Sequence, residues 1–146
     1  MLFLTHSGYG YSRKLCKNIS HWFLEKFLPR HKIYLDVHHR GLKREDAFGY
    51  CDYCDYPSRP RDFTIELHAN MSKELYTKTL LHELVHLRQW VEGSLRYKKG
   101  QMMYKNITVS KMDYMEQPHE IEAYELEDDL YLAYVYDTTG NWIGDS

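Results

Sequence analysis

The chain lacks a membrane-length apolar run, carries no large excess of either charge, and has only three cysteines in 146 residues. No stretch approaches the ~20 apolar residues that a membrane span needs, so no membrane partner is expected. A net charge of −2 gives no overall pull toward nucleic acid or an anionic surface. Three cysteines are too few for a disulfide framework, and the opening MLFLTHSGYG is too short an apolar stretch for a signal peptide and lacks its basic start. These absences point to a cytoplasmic setting, the host's cytoplasm if the source is a virus. Repeats at solenoid spacing and long low-complexity segments are also missing.

What is present suits a globular chain. The hydrophobic share is 43% and the charged share 27%, over a length that suits a single domain spanning residues 1–146. Fourteen tyrosines supply most of the aromatic content, which suggests a core and cleft rich in amphipathic rings. Leu15, Ile19, Phe23 and Phe27 recur every fourth residue and predict a helix over about 12–28, closed by Pro29. Trp22, Phe23 and Trp90 stand at helical spacings that assign them to the core.

KIYLDVH and DFTIELHA alternate apolar and polar residues and read as strands, with the stretch from His38 to Arg61 between them as loop. Ser72 is a good helix N-cap, and a helix over about Lys73 to Glu92 follows, ended by Gly93. The next segment reads as a hairpin turning at Lys99–Gly100. Pro118 suits the first turn of a last helix through HEIEAYELEDDLYLAYVY. The fold class expected is α+β, with a small, mostly antiparallel sheet.

The chemistry concentrates in LLHELVHLRQW, residues 80–90. Apolar residues cover most of this helix's circumference, so it is expected to be buried. His82 and His86 lie one turn apart on one face, and their imidazoles converge on a point off the helix axis. Glu83 lies about 100° round from His82, near that point but angled away from being a ligand there. This is the His-Glu-x-x-His zinc motif; the chain's histidines and glutamates give it roughly 0.04 chance matches, too few to explain it as accident. Two imidazoles leave open positions on zinc, and a catalytic site needs a third protein ligand.

PHEIEAYELE offers that ligand. Glu120-Ile-Glu-Ala123 resembles the Glu-x-x-Ala of the second zinc helix in gluzincin metallopeptidases, the thermolysin-like and related families. Ala123, one turn from Glu120, lets two helices approach closely. Glu122 is the rival, about 200° round the helix, so only one of the two faces the metal. In size and layout the chain also resembles small SprT-like and phage-encoded metallopeptidases. SprT-like proteins take a histidine soon after the motif as third ligand, whereas here the next histidine is His119. Thermolysin places an aspartate four residues after its ligand glutamate, where this chain has Tyr124.

The resemblance implies a minimal zincin-like domain with an active-site helix, a C-terminal zinc-ligand helix and one zinc ion per chain. It implies a peptidase in which His82, His86 and Glu120 hold zinc and Glu83 is the general base for the zinc-bound water. Tyr97, Tyr104, Tyr114 and Tyr124 are the candidate oxyanion donors. The strand before the active-site helix forms the cleft's edge in such enzymes and pairs with an extended substrate. A carboxylate or backbone carbonyl is expected to hold each zinc histidine.

The partner expected is a protein or peptide substrate, and the chain a monomer. The alternative function is a catalytically silent zincin-fold binding or regulatory module acting on nucleoprotein. Cys51 and Cys54 read as a loop pair of thiols, with a structural zinc completed by His38 and His39 as the other reading. The basic hairpin RYKKG, with Lys105 and Lys111, reads as solvated, with nucleic-acid contact as the other reading.

Overall fold

A computed structural model describes residues 1–42, 48–53 and 60–140. Among them the chain forms β1 (Leu2–Gly8), α1 (Arg13–Phe27), β2 (Ile33–Arg40), β3 (Gly49–Tyr53), β4 (Asp62–His68) and α2 (Lys73–Glu92). It continues through β5 (Leu95–Lys98), β6 (Gln101–Tyr104) and β7 (Ile107–Thr108) to α3 (Pro118–Thr139). The class is mixed α/β, with three helices and two sheets among the described residues.

The larger sheet runs β1-β2-β4-β3. β1 pairs parallel with β2, and β2 parallel with β4, while only β3 is antiparallel to its neighbour β4. The expected mostly antiparallel sheet is therefore wrong for this layer. β1–α1–β2 is a crossover unit, and such a crossover returns the chain in the same direction. The smaller sheet, β5-β6-β7, is antiparallel throughout.

Two expected boundaries also change. The segment from His38 to Arg61 is not all loop: β2 runs on to Arg40, and Gly49–Tyr53 forms β3. DFTIELHA lies inside the sheet, so β4 is not the edge; among the described residues the outermost strand on that side is β3.

α1 and α2 cover one face of the larger sheet. Ile33, Leu35 and Val37 of β2 and Phe63, Ile65 and Leu67 of β4 are buried with Ile19, Phe23 and Leu24 of α1 and Leu80, Leu81 and Leu84 of α2 in one core. The alternate residues face outward, where the Phe3 and Tyr34 rings stack at 4.8 Å. One apolar and one polar face is a pattern more common in antiparallel sheets, which is why the sequence misled.

α2 is the central element. Ser72 caps it, its hydroxyl accepting from the Leu75 amide, and Gly93 ends it at φ 83°, a left-handed conformation that glycine adopts without a Cβ penalty. From Leu80 to Val91 every residue except Arg88 is buried, as the all-round apolar pattern requires. α3 starts with Pro118 in its first turn and packs along α2 with Ala123 fully buried.

Candidate metal centre

His82 and His86 project from α2 toward the first turn of α3, where Glu120 meets them. Glu120 Oε1 lies 3.0 Å from His82 Nε2 and 2.9 Å from His86 Nε2. One donor atom from each of the three falls within 4.8 Å of the others, a spacing that fits a single metal ion. All three side chains are largely buried.

The outer nitrogens of both rings are committed. His82 Nδ1 lies 2.9 Å from Glu127 Oε2, and a carboxylate only accepts, so Nδ1 carries the hydrogen. His86 Nδ1 lies 2.8 Å from Gln89 Oε1, while Gln89 Nε2 donates to the His119 carbonyl and to Glu122. Those two acceptors fix which way the amide points, so His86 Nδ1 is also the donor. In their neutral forms both rings then aim Nε2 lone pairs at the same carboxylate oxygen. Three acceptors meeting at hydrogen-bond distance repel unless positive charge lies among them.

Protons are one such charge. Burial opposes a charge on His82, but the hydrogen bonds to Glu120 and Glu127 outweigh it and lift the imidazole to about 9. His86 is raised in the same sense, with burial again overcome by Glu120. Burial works against the Glu120 carboxylate too, yet the bonds from both histidines hold it well below the usual carboxylate range. A metal cation is the other charge that satisfies this donor set. Two imidazoles and one carboxylate are a donor set that a divalent metal ion accepts.

Glu83 is the buried neighbour of this cluster. Burial pushes its carboxyl up, with His86 and His82 pulling the other way. Among the described residues no hydrogen bond holds its carboxylate. Its stem is pressed from the sheet side by Gly49 of β3, where an added Cβ would sit 3.2 Å from Glu83 Cγ and 3.1 Å from Leu67 Cδ2. The missing side chain at Gly49 is what lets β3 approach the glutamate.

The tyrosines divide. Tyr124 places its ring 4.5 Å from that of His82, and its hydroxyl lies 3.3 Å from that of Tyr114. The Tyr114 hydroxyl also interacts with Glu120; burial, then the bonds to Tyr124 and Glu120, raise its pKa. Tyr97 instead packs against Trp90 and Tyr53 at 5.5 and 6.1 Å between ring centroids. Tyr104 donates to Glu122 Oε2 at 2.7 Å.

Glu122 therefore points to Gln89 and Tyr104 rather than into the cluster. His119 stands behind His86, with ring centroids 5.6 Å apart. Burial and the nearby His86 lower its imidazole to about 4, and its Nδ1 has no hydrogen-bond partner among the described residues. Of the other candidate ligands, His39 is buried with both ring nitrogens engaged, by the Ser7 carbonyl and the Tyr76 hydroxyl at 2.9 and 2.8 Å. His38 pairs with Asp36 on the exposed face, Cys51 is half-buried on β3, and Cys54 lies outside the described residues.

Sequence reasoning missed Glu127 and Gln89. Their spacing was the available signal: Gln89 is three residues beyond His86, and Glu127 is seven beyond Glu120, two turns along the same face of α3. No family model, curated protein or solved structure matches the chain, so the reading of this centre rests on its own side chains.

Proposed function

We propose that the chain is a zinc-dependent peptidase of zincin-like architecture, related in its site chemistry to the gluzincins. The observation that carries this reading is the convergence of His82 Nε2 and His86 Nε2 on Glu120 Oε1 with both Nδ1 hydrogens committed elsewhere, beside the buried Glu83.

His82, His86 and Glu120 would hold the metal. A zinc ion held there would supply Lewis acidity for activating water and polarising a carbonyl. Glu83 takes the proton of the attacking water and returns it to the departing amine, a role favoured by a carboxyl whose pKa burial has raised. Glu127 and Gln89 keep the two imidazoles facing inward. Tyr114, steadied by Tyr124, is the hydroxyl best placed to donate to a developing oxyanion near Glu120.

The substrate in this reading is an extended segment of a protein. β3 is the outermost strand on its side of the sheet among the described residues, and it begins against Glu83. An extended peptide added to its outer edge passes the general base.

Cleavage of an unstructured protein tests the reading. The wild-type chain loaded with zinc is expected to hydrolyse it, and Glu83→Gln to keep its zinc while losing cleavage. Wild-type cleavage by Glu83→Gln would remove the general base. Zinc binding without hydrolysis by the wild type would leave a metal-bearing binding module.

A further inference from the structure

Hairpin β5–β6 contributes no metal ligand, yet a chain of hydrogen bonds runs from it to His86. The Tyr104 hydroxyl donates to Glu122 Oε2 at 2.7 Å, and Glu122 Oε1 accepts from Gln89 Nε2 at 2.9 Å. Gln89 Nε2 also donates to the His119 carbonyl at 3.1 Å, and Gln89 Oε1 accepts from His86 Nδ1 at 2.8 Å. Tyr104, Gln89 and His86 are 5%, 3% and 7% exposed and Glu122 is half-buried, so water competes least at the Gln89–His86 end of the chain.

Each member of the chain dictates the next. A carboxylate at Glu122 only accepts, so it demands the NH2 side of Gln89; the amide oxygen must then face His86. His86 is left with one tautomer, its Nε2 lone pair turned toward Glu120. Tyr104 anchors the other end by holding the second oxygen of Glu122. Lys105, next in sequence, adds its positive charge to that of Arg88 in favouring the Glu122 carboxylate.

We propose that Tyr104, Glu122 and Gln89 are positioning residues that fix the orientation and tautomer of His86, making hairpin β5–β6 a determinant of how tightly the centre holds its metal. The inference rests on the reading of His82, His86 and Glu120 as ligands. A purely structural role for these bonds, pinning the hairpin onto α2 and α3, would leave metal affinity alone.

The experiment is zinc affinity by competition with a chromogenic chelator, read without any assay of cleavage. Tyr104→Phe keeps the ring and removes only the terminal donor; it is expected to weaken zinc binding several-fold with unchanged circular dichroism. Gln89→Glu sets two carboxylates against each other and is expected to weaken binding about tenfold or more. Adding Glu122→Gln to Gln89→Glu restores a donor–acceptor pair between the two side chains and recovers part of that loss, the donor to the His119 carbonyl staying absent. Wild-type affinity in Tyr104→Phe, or a double variant no tighter than Gln89→Glu alone, would overturn the proposal. Failure of the wild type to bind zinc would overturn the ligand reading beneath it.

Discussion

Replacing Glu127 by leucine removes the carboxylate that orients His82. The bond spans 2.9 Å between a His82 side chain 7% exposed and a Glu127 side chain 24% exposed. A hydrogen bond to a charged group contributes about 1.5–3 kcal/mol net, and partial exposure places this one in the lower half of that range. At 1.4 kcal/mol for each factor of ten, zinc binding is expected to weaken about tenfold. The outer-shell partners of zinc histidines elsewhere have effects of roughly 10–100-fold, consistent with that size. Glu127→Gln keeps an acceptor oxygen without the charge and is expected to lose only a few-fold. Chelator competition at constant pH measures both, with circular dichroism to establish that α3 is intact. Glu127→Leu binding zinc as tightly as the wild type would refute the reasoning that this bond presents Nε2 to the metal.

A second prediction concerns acid stability. Burial lowers the His39 imidazole pKa despite the Ser7 carbonyl, with Tyr11 and Tyr76 facing the ring and His6 and His38 adding like charge. His39 is neutral when folded, so its contribution is fully present above its unfolded value of about 6.5 and is lost as pH falls through the lowered folded value. The acid limb of stability should steepen by at most about 1.4 kcal/mol per pH unit there, and His39→Asn should flatten it relative to the wild type. Urea unfolding across pH 4–8 reads the difference, and identical slopes would exclude His39 as its source. A third prediction places a methyl group against Glu83: Gly49→Ala forces a Cβ 3.2 Å from Glu83 Cγ and from the Glu66 carbonyl oxygen. Zinc content should stay near that of the wild type while the rate of hydrolysis falls roughly tenfold or more, since small displacements of a catalytic group are costly. An unchanged rate would show that β3 does not set the position of the glutamate.

The helices were legible because their signals are local. Ser72 and Gly93 mark the ends of α2, Pro118 marks the start of α3, and the periodicity of Ile19 and Phe23 marks α1. The turn at Lys99–Gly100 was equally plain, both residues taking positive φ between β5 and β6. The sheet was harder. β1 is an alternating strand, with Leu2, Leu4 and His6 half-buried, but three half-buried positions at the start of the chain are a weak strand signal. β3 holds a glycine, an aspartate and two tyrosines in five residues, and at an edge little selects a strand pattern. Strand direction is a property of the connections, and half-exposed parallel strands carry the same alternation as antiparallel ones.

The candidate site divides in the same way. His82, Glu83 and His86 were visible because their spacing is a helical geometry, and Glu120 because Glu120-Ile-Glu-Ala123 resembles the Glu-x-x-Ala pattern of the gluzincins. Glu127 was hidden in the acidic run Glu125, Glu127, Asp128 and Asp129, where composition alone reads as a solvated face. Only the docking of α3 onto α2 singles out the member that lies two turns from Glu120. Gln89 carries no charge and no motif, and its role exists only because Glu122 and the His119 carbonyl fix its amide.

Metal content tests the central claim most directly. The purified wild-type chain, analysed beside His82→Ala and Glu120→Ala after equilibration with zinc, is expected to hold about one zinc ion per chain, with a marked loss in both variants. A full zinc ion retained in Glu120→Ala would contradict the three-residue centre and turn attention to His119, whose ring stands behind that of His86.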